Sequence, residues 1–329
     1  MKLLIITQAV DKNHPILGFF HRWIVEFAKH FEHIHVIALQ TEEPGKSDLP
    51  GNVTVYSLGK EQKHTNANTT TDTMIYHSKT TMINHSGFGE RVAYVGRFLR
   101  LAWRLRRQYD TVFVHMNPEY IVLAGWWWRL MGKKIGLWYT HKSIDLKLRI
   151  AEFFADIIFT ASKESFRLPS RKVLVMGHGI DTDFFKPDAA VKRGAHLLSV
   201  GRLMPSKRHD LAIRAAKEAD MSLRIAGDGP ERERLEALAR ELGVDVAFLG
   251  ALTQEKLRDE YRVAAKLIHR SETGSLDKVV LEAAACGLAV DTTDPALATL
   301  PFSPEYVREY HSLQKLIPRI VDSYEKISS

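Results

Sequence analysis

The sequence predicts an α/β protein with two Rossmann-like, doubly wound domains facing a central cleft. Three observations lead there. The chain opens with an apolar run, a stretch of helical spacing and a second apolar run (KLLIIT, FFHRWIVEFAKHF, HIHVIAL), the β-loop-α-β start of a parallel sheet. The same alternation begins afresh at residue 196. A chain of 329 residues is long for one hydrophobic core and comfortable for two.

Taken in order, KLLIIT is a buried strand, followed by a loop that holds Pro15 and Gly18. After the first helix, HIHVIAL and NVTVYSL are the second and third strands. Residues 60–90 are rich in Thr, Asn, Ser and His with little apolar periodicity, and read as a mobile surface insertion. TVFVHM, KIGLWYTH, DIIFTAS and KVLVMGHGI are further short strands between helical stretches. Pro187 and the DAAVKRG that follows read as a linker. Beyond it, HLLSVGRL, SLRIAGDG, VAFLGAL and AKLIHRS are strands, and HDLAIRAAKEA, ERERLEALARELG and KLRDEYRVA are helices. The helix VVLEAAAC, ended by Gly287, and the strand LAVDTT come next. EYHSLQKLIPRIVDSYEKI is a closing helix expected to return to the first domain. The expected division is 1–176 for the N-terminal domain, 177–187 for an interdomain segment, 188–304 for the C-terminal domain and 305–329 for the closing helix.

The single cysteine, Cys286, cannot form an internal disulfide and sits in an apolar helix, which suits a small core residue in a cytosolic protein. MKLLIITQAV is interrupted by Gln8 and lacks a small-residue cleavage site, so it reads as a strand, not a signal peptide. YIVLAGWWWRLM is too short to span a bilayer and contains Arg129. The net charge of +7 is mild for a nucleic-acid binder and no nucleic-acid-binding motif accompanies it. An anionic small molecule or an anionic membrane surface would use the same charge.

Several residues stand out chemically. Arg202 and Lys207 follow a strand end, where α/β sheets open their ligand crevice, and suit a phosphate; the alternative is two solvated loop charges. Gly274 and Ser275 stand at a helix entrance, where free N–H groups and the helix dipole favour an anion and small residues allow close approach. Glu282 lies one turn inside that helix among Val279, Val280, Leu281 and Ala283. A carboxylate buried there needs partners, either ligand hydroxyls or a structural salt bridge to Lys or Arg.

The ordered set VGRLMPSKRHDLAIRAA, LRIAGDGPERERLEALARELGVDVAFLGAL and VVLEAAACGLAV resembles the donor domain of family-4 retaining glycosyltransferases with the GT-B fold. GHGIDTDFFKP is similar to the segment that joins the two domains in that family. The resemblance covers residues 135–293 and extends more weakly over 1–134. It implies a retaining transfer from a nucleotide-sugar donor, such as a UDP- or GDP-sugar, to a glycan or lipid-linked acceptor. No cofactor and no metal are implied. On this resemblance Arg202 and Lys207 neutralise the leaving diphosphate, Glu282 takes the ribose hydroxyls, and His141 lies by the reacting sugar. Gly18 corresponds to a phosphate- and acceptor-facing loop that is often richer in glycine. His115, Asn117 and Glu119, at another strand end, are candidates for the acceptor side. One departure is plain: the family places a Glu eight positions before Glu282, and Gly274 stands there. Asp277 and Lys278, unusual at this helix entrance, are expected to replace the missing contacts. The departure leaves open a non-catalytic nucleotide-sugar-binding partner, and a GT-B epimerase remains a further alternative.

RFLRLAWRLRRQYD places Arg97, Arg100, Arg104 and Arg107 on one helical stripe opposite Phe98, Leu101, Ala102 and Leu105. With Trp126, Trp127 and Trp128 this reads either as a peripheral membrane patch on the cytoplasmic face or as an ordinary packed helix with core tryptophans. Asp181 and Asp183 imitate a metal-binding DxD but fall in the interdomain segment. His30, His33 and His35 straddle a helix end and a strand start, so they are not expected to converge on a metal.

Overall fold

The computed structural model describes residues 1–14, 17–41, 48–59, 88–271 and 276–328. The chain forms two compact units, one from residues 1–179 and 314–329, the other from residues 180–313, apart from a short span among the undescribed residues. The expected insertion at 60–90 lies outside the described residues except for its last three, which begin a helix.

In the first unit the order is β1 (Lys2–Val10), α1 (Gly18–Ala28), β2 (His33–Thr41), β3 (Val53–Ser57), α2 (Phe88–Arg104), β4 (Thr111–His115), α3 (Glu119–Leu130), β5 (Lys134–Trp138), α4 (Leu146–Phe154), β6 (Ile157–Thr160) and β7 (Val173–Val175). All described pairings are parallel, in the order β3-β2-β1-β4-β5-β6-β7. Helices cover both faces of a parallel sheet, which is why β1 reads as a continuous apolar run rather than an alternating one. Leu3, Leu4, Ile5 and Ile6 are fully buried. Each contributes roughly 1.5–3 kcal/mol of burial free energy.

On α2, Phe98 and Ala102 are buried while Arg100 and Arg104 are exposed, and the stripe continues past the helix with Leu105 buried and Arg107 exposed. Arg97 is tied down, donating to the Leu58 carbonyl. The three consecutive tryptophans of α3 do not share a face, because each helical residue turns by about 100°. Trp127 and Trp128 lie in the core, with Trp128 Nε1 donating to the Tyr109 hydroxyl at 2.9 Å, while Trp126 is 55% exposed.

The second unit runs β8 (Leu197–Val200), α5 (His209–Glu218), β9 (Leu223–Ala226), α6 (Arg232–Leu242), β10 (Val246–Gly250), α7 (Gln254–Val263), β11 (Lys266–His269), α8 (Lys278–Ala285), β12 (Ala289–Thr292), α9 (Pro295–Ala298) and α10 (Pro304–Tyr310). Its sheet is again parallel, in the order β10-β9-β8-β11-β12. From Ile180 on, the connector read from the sequence is part of this unit. Ile180 and Phe185 are buried in its core, and Ile180 bridges to Ser312. Arg193, in the expected linker, donates to the carbonyls that end α7 and α8, those of Ala264 and Cys286, at 3.1 and 3.0 Å. α10 also belongs here through buried Val307, whereas α11 (Leu313–Ser328) runs into the first unit. There Tyr324 donates to the Val112 carbonyl at 2.7 Å and Arg319 to that of Met176 at 3.2 Å. The chain therefore divides at 179/180 and 313/314, rather than at the expected 176/177, 187/188 and 304/305.

Candidate functional site

In the second sheet the chain reverses its winding direction between β8 and β11, and the loops leaving these two strands diverge there. The loop after β8 carries Arg202 and ends in a 3-10 turn, Pro205–Lys207. It is fixed from below by the loop after β9. Leu203 N donates to the Asp228 carbonyl at 2.9 Å, and Glu231 N donates back to the Leu203 carbonyl at 3.1 Å. A Cβ on Gly227 would lie 1.9 Å from the Gly201 carbonyl oxygen, so only glycine permits the two loops to meet.

His209, at the start of α5, holds the same loop from the other side. Its Nδ1 lies 2.9 Å from Ser199 Oγ and its Nε2 3.3 Å from the Arg202 carbonyl oxygen. Burial pushes its pKa down to about 4, so the ring is a neutral brace. Nothing in the stretch KRHDL marks this histidine beforehand.

Lys207 Nζ lies 2.6 Å from Asp277 Oδ2 and 3.3 Å from Ser271 Oγ, so the β8 loop and the β11–α8 loop meet through an ion pair. The same Asp277 oxygen accepts from His269 Nε2 at 3.0 Å, and His269 Nδ1 faces Thr292 Oγ1 at 3.1 Å. Burial alone would raise the Asp277 pKa, but the His269 hydrogen bond and the Lys207 charge outweigh it and hold the carboxyl well below the usual range. The sequence singles out Asp277 and Lys207 separately, but neither their pairing nor the part of His269 is legible in it.

At the start of α8, Lys278 Nζ lies 3.6 Å from Glu282 Oε1, and the Tyr261 hydroxyl donates to Glu282 Oε2 at 3.3 Å. Glu282 is 3% exposed. Burial raises its pKa, and the neighbouring Lys278 charge opposes that shift. Of the two partners left open by the sequence, the salt bridge is present. Gly274 and Ser275 lie outside the described residues. Buried Cys286, whose thiol burial pushes up to about 12, is a core residue.

Of the expected residues of the first unit, Gly18, His115, Asn117 and Glu119 end or follow β1 or β4, the strands of its own reversal point, and His141 follows β5. Gly18 is the first residue of α1 rather than a loop residue, and a Cβ there would lie 2.6 Å from the Lys12 carbonyl oxygen. His115 is 2% exposed, stacked on Phe20 with ring centroids 4.1 Å apart, and faces Thr7 Oγ1 at 3.3 Å. Buried in this way, it is a core histidine. Asn117 accepts from Gln8 Nε2 at 2.9 Å and donates to the His115 carbonyl at 3.1 Å. Glu119 Oε1 pairs with Lys147 at 3.0 Å, while its buried Oε2 has no hydrogen-bond partner among the described residues. His141 is half-buried, with Nδ1 accepting from Ser143 N at 3.1 Å. Burial lowers its pKa, and Asp145 opposes the shift.

Among the described residues no group of three or more His, Cys, Asp or Glu side chains is placed to hold a metal. Asp181 Oδ1 accepts from the backbone N–H groups of Asp183 and Phe184, closing a turn. His33 and His35 do share a face, with ring centroids 4.5 Å apart, and face Thr54 and Tyr56. Among the described residues no helix is long and apolar enough to cross a membrane.

Two parallel α/β units of Rossmann type, each reversing at its first strand, are the architecture of the GT-B fold. Residues 181–310, which contain the whole β8/β11 constellation, match the family described as glycosyl transferases group 1. The chain is similar to a D-inositol 3-phosphate glycosyltransferase from Acidothermus cellulolyticus, 37% identical over 145 residues, or 36% of this chain and 32% of that protein. It thus spans about a third of the length of that relative. In three dimensions it is similar to sucrose-phosphate synthase from Thermosynechococcus elongatus, with a TM-score of 0.69 at 15% identity over 99% of both chains. It is also similar to Anabaena Alr3699/HepE, solved in complex with UDP, with a TM-score of 0.60 at 15% identity over 100% of this chain and 91% of that one.

Proposed function

We propose that the protein is a glycosyltransferase that moves a sugar from a UDP- or GDP-sugar to an acceptor hydroxyl with retention of configuration. The observation that carries this reading is the pair of connections at the β8/β11 reversal point that carry Arg202, Lys207 and Lys278, inside the segment that matches group 1 glycosyl transferases. A departing nucleoside diphosphate gains negative charge as its bond to the sugar breaks. Fixed cations therefore help the transition state more than the bound donor. Arg202 and Lys207 are assigned to that diphosphate, and Lys278 to the phosphate or sugar beside it. Glu282, with Lys278 and Tyr261 already on its oxygens, is assigned to the ribose hydroxyls. His141 is assigned to the sugar. In a same-face transfer the leaving phosphate accepts the proton of the incoming hydroxyl, so no side-chain base is required. The acceptor is read as a glycan or lipid-linked sugar in the synthesis of glycans, glycolipids or surface polysaccharide.

The test is to incubate the pure protein with a panel of nucleotide sugars and read free nucleotide release, then determine the anomeric configuration of the product by NMR. Release from one donor with retained configuration supports the reading; inert behaviour toward every UDP- and GDP-sugar, with no nucleotide affinity, overturns it.

The exposed Arg100, Arg104 and Arg107, with Trp103 (56% exposed) on the same helix, form the surface we assign to an anionic membrane on the acceptor side. Each basic residue near such a surface contributes on the order of 1 kcal/mol, and salt weakens the contact. Replacing the three arginines with Gln is expected to abolish co-sedimentation with anionic liposomes at low salt. If the wild type ignores those liposomes, a soluble acceptor replaces the lipid-linked one.

A further inference from the structure

Lys207, the cation that the proposed function assigns to the donor diphosphate, is not held in readiness by neutral groups. Its ammonium lies 2.6 Å from a carboxylate of the same unit, Asp277 Oδ2, with Ser271 Oγ at 3.3 Å. A diphosphate approaching Lys207 meets an anion already in place, and like charges at contact distance in a partly buried site repel strongly. The side chains of Lys207 and Asp277 are 22% and 15% exposed, so solvent screens this contact only in part.

Lys207 and His269, partners of Asp277 among the described residues, differ in freedom. His269 is 4% exposed on its side chain and is engaged on its other nitrogen by Thr292. Lys207 sits at the end of a 3-10 turn on a four-carbon stem with rotatable donors. The pair can therefore open by rotation of the lysine alone, with the Asp277–His269 contact kept.

We propose that Asp277 is an internal competitor for Lys207, so that donor binding exchanges the Lys207–Asp277 ion pair for a Lys207–phosphate one. This rests on the reading of Lys207 as the diphosphate residue. Asp277 then sets how tightly the protein holds a nucleoside diphosphate, and it keeps the loops after β8 and β11 joined while no donor is bound. The exchange makes and breaks no covalent bond and needs no further reactant.

The experiment is a calorimetric titration of UDP, GDP and inorganic pyrophosphate into wild type, Asp277→Asn, Lys207→Ala and the double variant. Asn keeps the size of the side chain and its capacity to accept from His269 while removing the charge. Losing the competing charge-assisted bond is expected to tighten binding of whichever nucleotide the wild type takes by roughly tenfold. The gain is expected to vanish in the Lys207→Ala background. Asp277→Ser, a shorter neutral acceptor, is expected to shift affinity in the same direction, and thermal unfolding shows that each variant is folded. Equal or weaker binding by both folded Asp277 variants, while Lys207→Ala still loses affinity, overturns the competition and leaves the nucleotide reading standing. No binding of any of the three ligands by wild type and Asp277→Asn overturns both.

Discussion

The two sheets reverse in the same way, β1 beside β4 and β8 beside β11, yet the strand ends at the two reversal points hold different chemistry. At β1/β4 the contacts at the strand ends themselves are neutral, Gln8 to Asn117, Thr7 to His115 and His115 stacked on Phe20, while the ion pairs Lys12–Asp48 and Glu119–Lys147 lie further along the chain. At β8/β11 they are ionic: Lys207 to Asp277, with His269 behind, and Lys278 to Glu282. One topology thus brings strand ends together without deciding their chemistry, and the side chains there make that choice. The ionic point suits a ligand that brings its own charge. The neutral one suits a ligand or surface that is read by shape and hydrogen bonds.

The largest expected break in this contrast comes from Lys207→Ala. If the ionic point stabilises a departing diphosphate, turnover at saturating donor should fall by roughly a hundredfold to a thousandfold, as when one preorganised electrostatic donor is removed elsewhere. Steady-state kinetics decide the matter. A change confined to KM would mean that Lys207 binds only the ground state, and the ionic point would then be a binding feature without a catalytic share.

How much of this contrast could be read beforehand differs between the two points. The parallel strands were legible because burial on both faces leaves uninterrupted apolar runs, as in KLLIIT and TVFVHM. Arg202 and Lys207 were legible as charges just past a strand end. Their wiring was not. Lys207 and Asp277 are separated by 70 positions and meet only because β8 and β11 are neighbours in the sheet, a pairing that no local pattern encodes. His209 and His269 were missed for a related reason. A lone histidine inside an apolar or charged run carries no spacing signal, and its role depends on which neighbours the sheet supplies. His115 shows the converse. It looked like a strand-end residue facing the ligand edge, but α1 lays Phe20 over it and buries it.

A second break tests the brace under the ionic point. The unfolded chain takes up the His209 proton near pH 6.5, and the folded chain only near 4, because burial disfavours the imidazolium. Stability from this group is fully present above pH 6.5 and is lost as pH falls from 6.5 toward 4. The full span corresponds to about 3 kcal/mol at most, since each pKa unit is roughly 1.4 kcal/mol. Urea unfolding of wild type and His209→Gln between pH 7 and pH 4.5 is the measurement. The variant should be less stable at pH 7 and show a shallower decline on acidification. Parallel declines would assign the acid sensitivity to other buried histidines, such as His311, which burial also holds near 4.

The smallest effect sharpens the contrast from the neutral side. Asn117 is buried and makes two neutral hydrogen bonds, one across the β1/β4 reversal to Gln8 and one to the His115 carbonyl. Asn117→Ala removes both, and a net neutral hydrogen bond contributes about 0.5–1.5 kcal/mol. Gln8, part-buried, can turn to water, which keeps the cost toward the lower part of a one-to-two-bond loss, about 1 kcal/mol. Urea denaturation at neutral pH should register that loss with no change in the m-value, because the surface exposed on unfolding is unaltered. Nucleotide affinity, measured by calorimetry on the same sample, should stay at the wild-type value, since the cations assigned to the phosphates all belong to the second unit. A drop in nucleotide affinity in step with the stability loss would mean that the neutral reversal point also takes part in holding the donor, and the division of labour between the two strand-end clusters would fall.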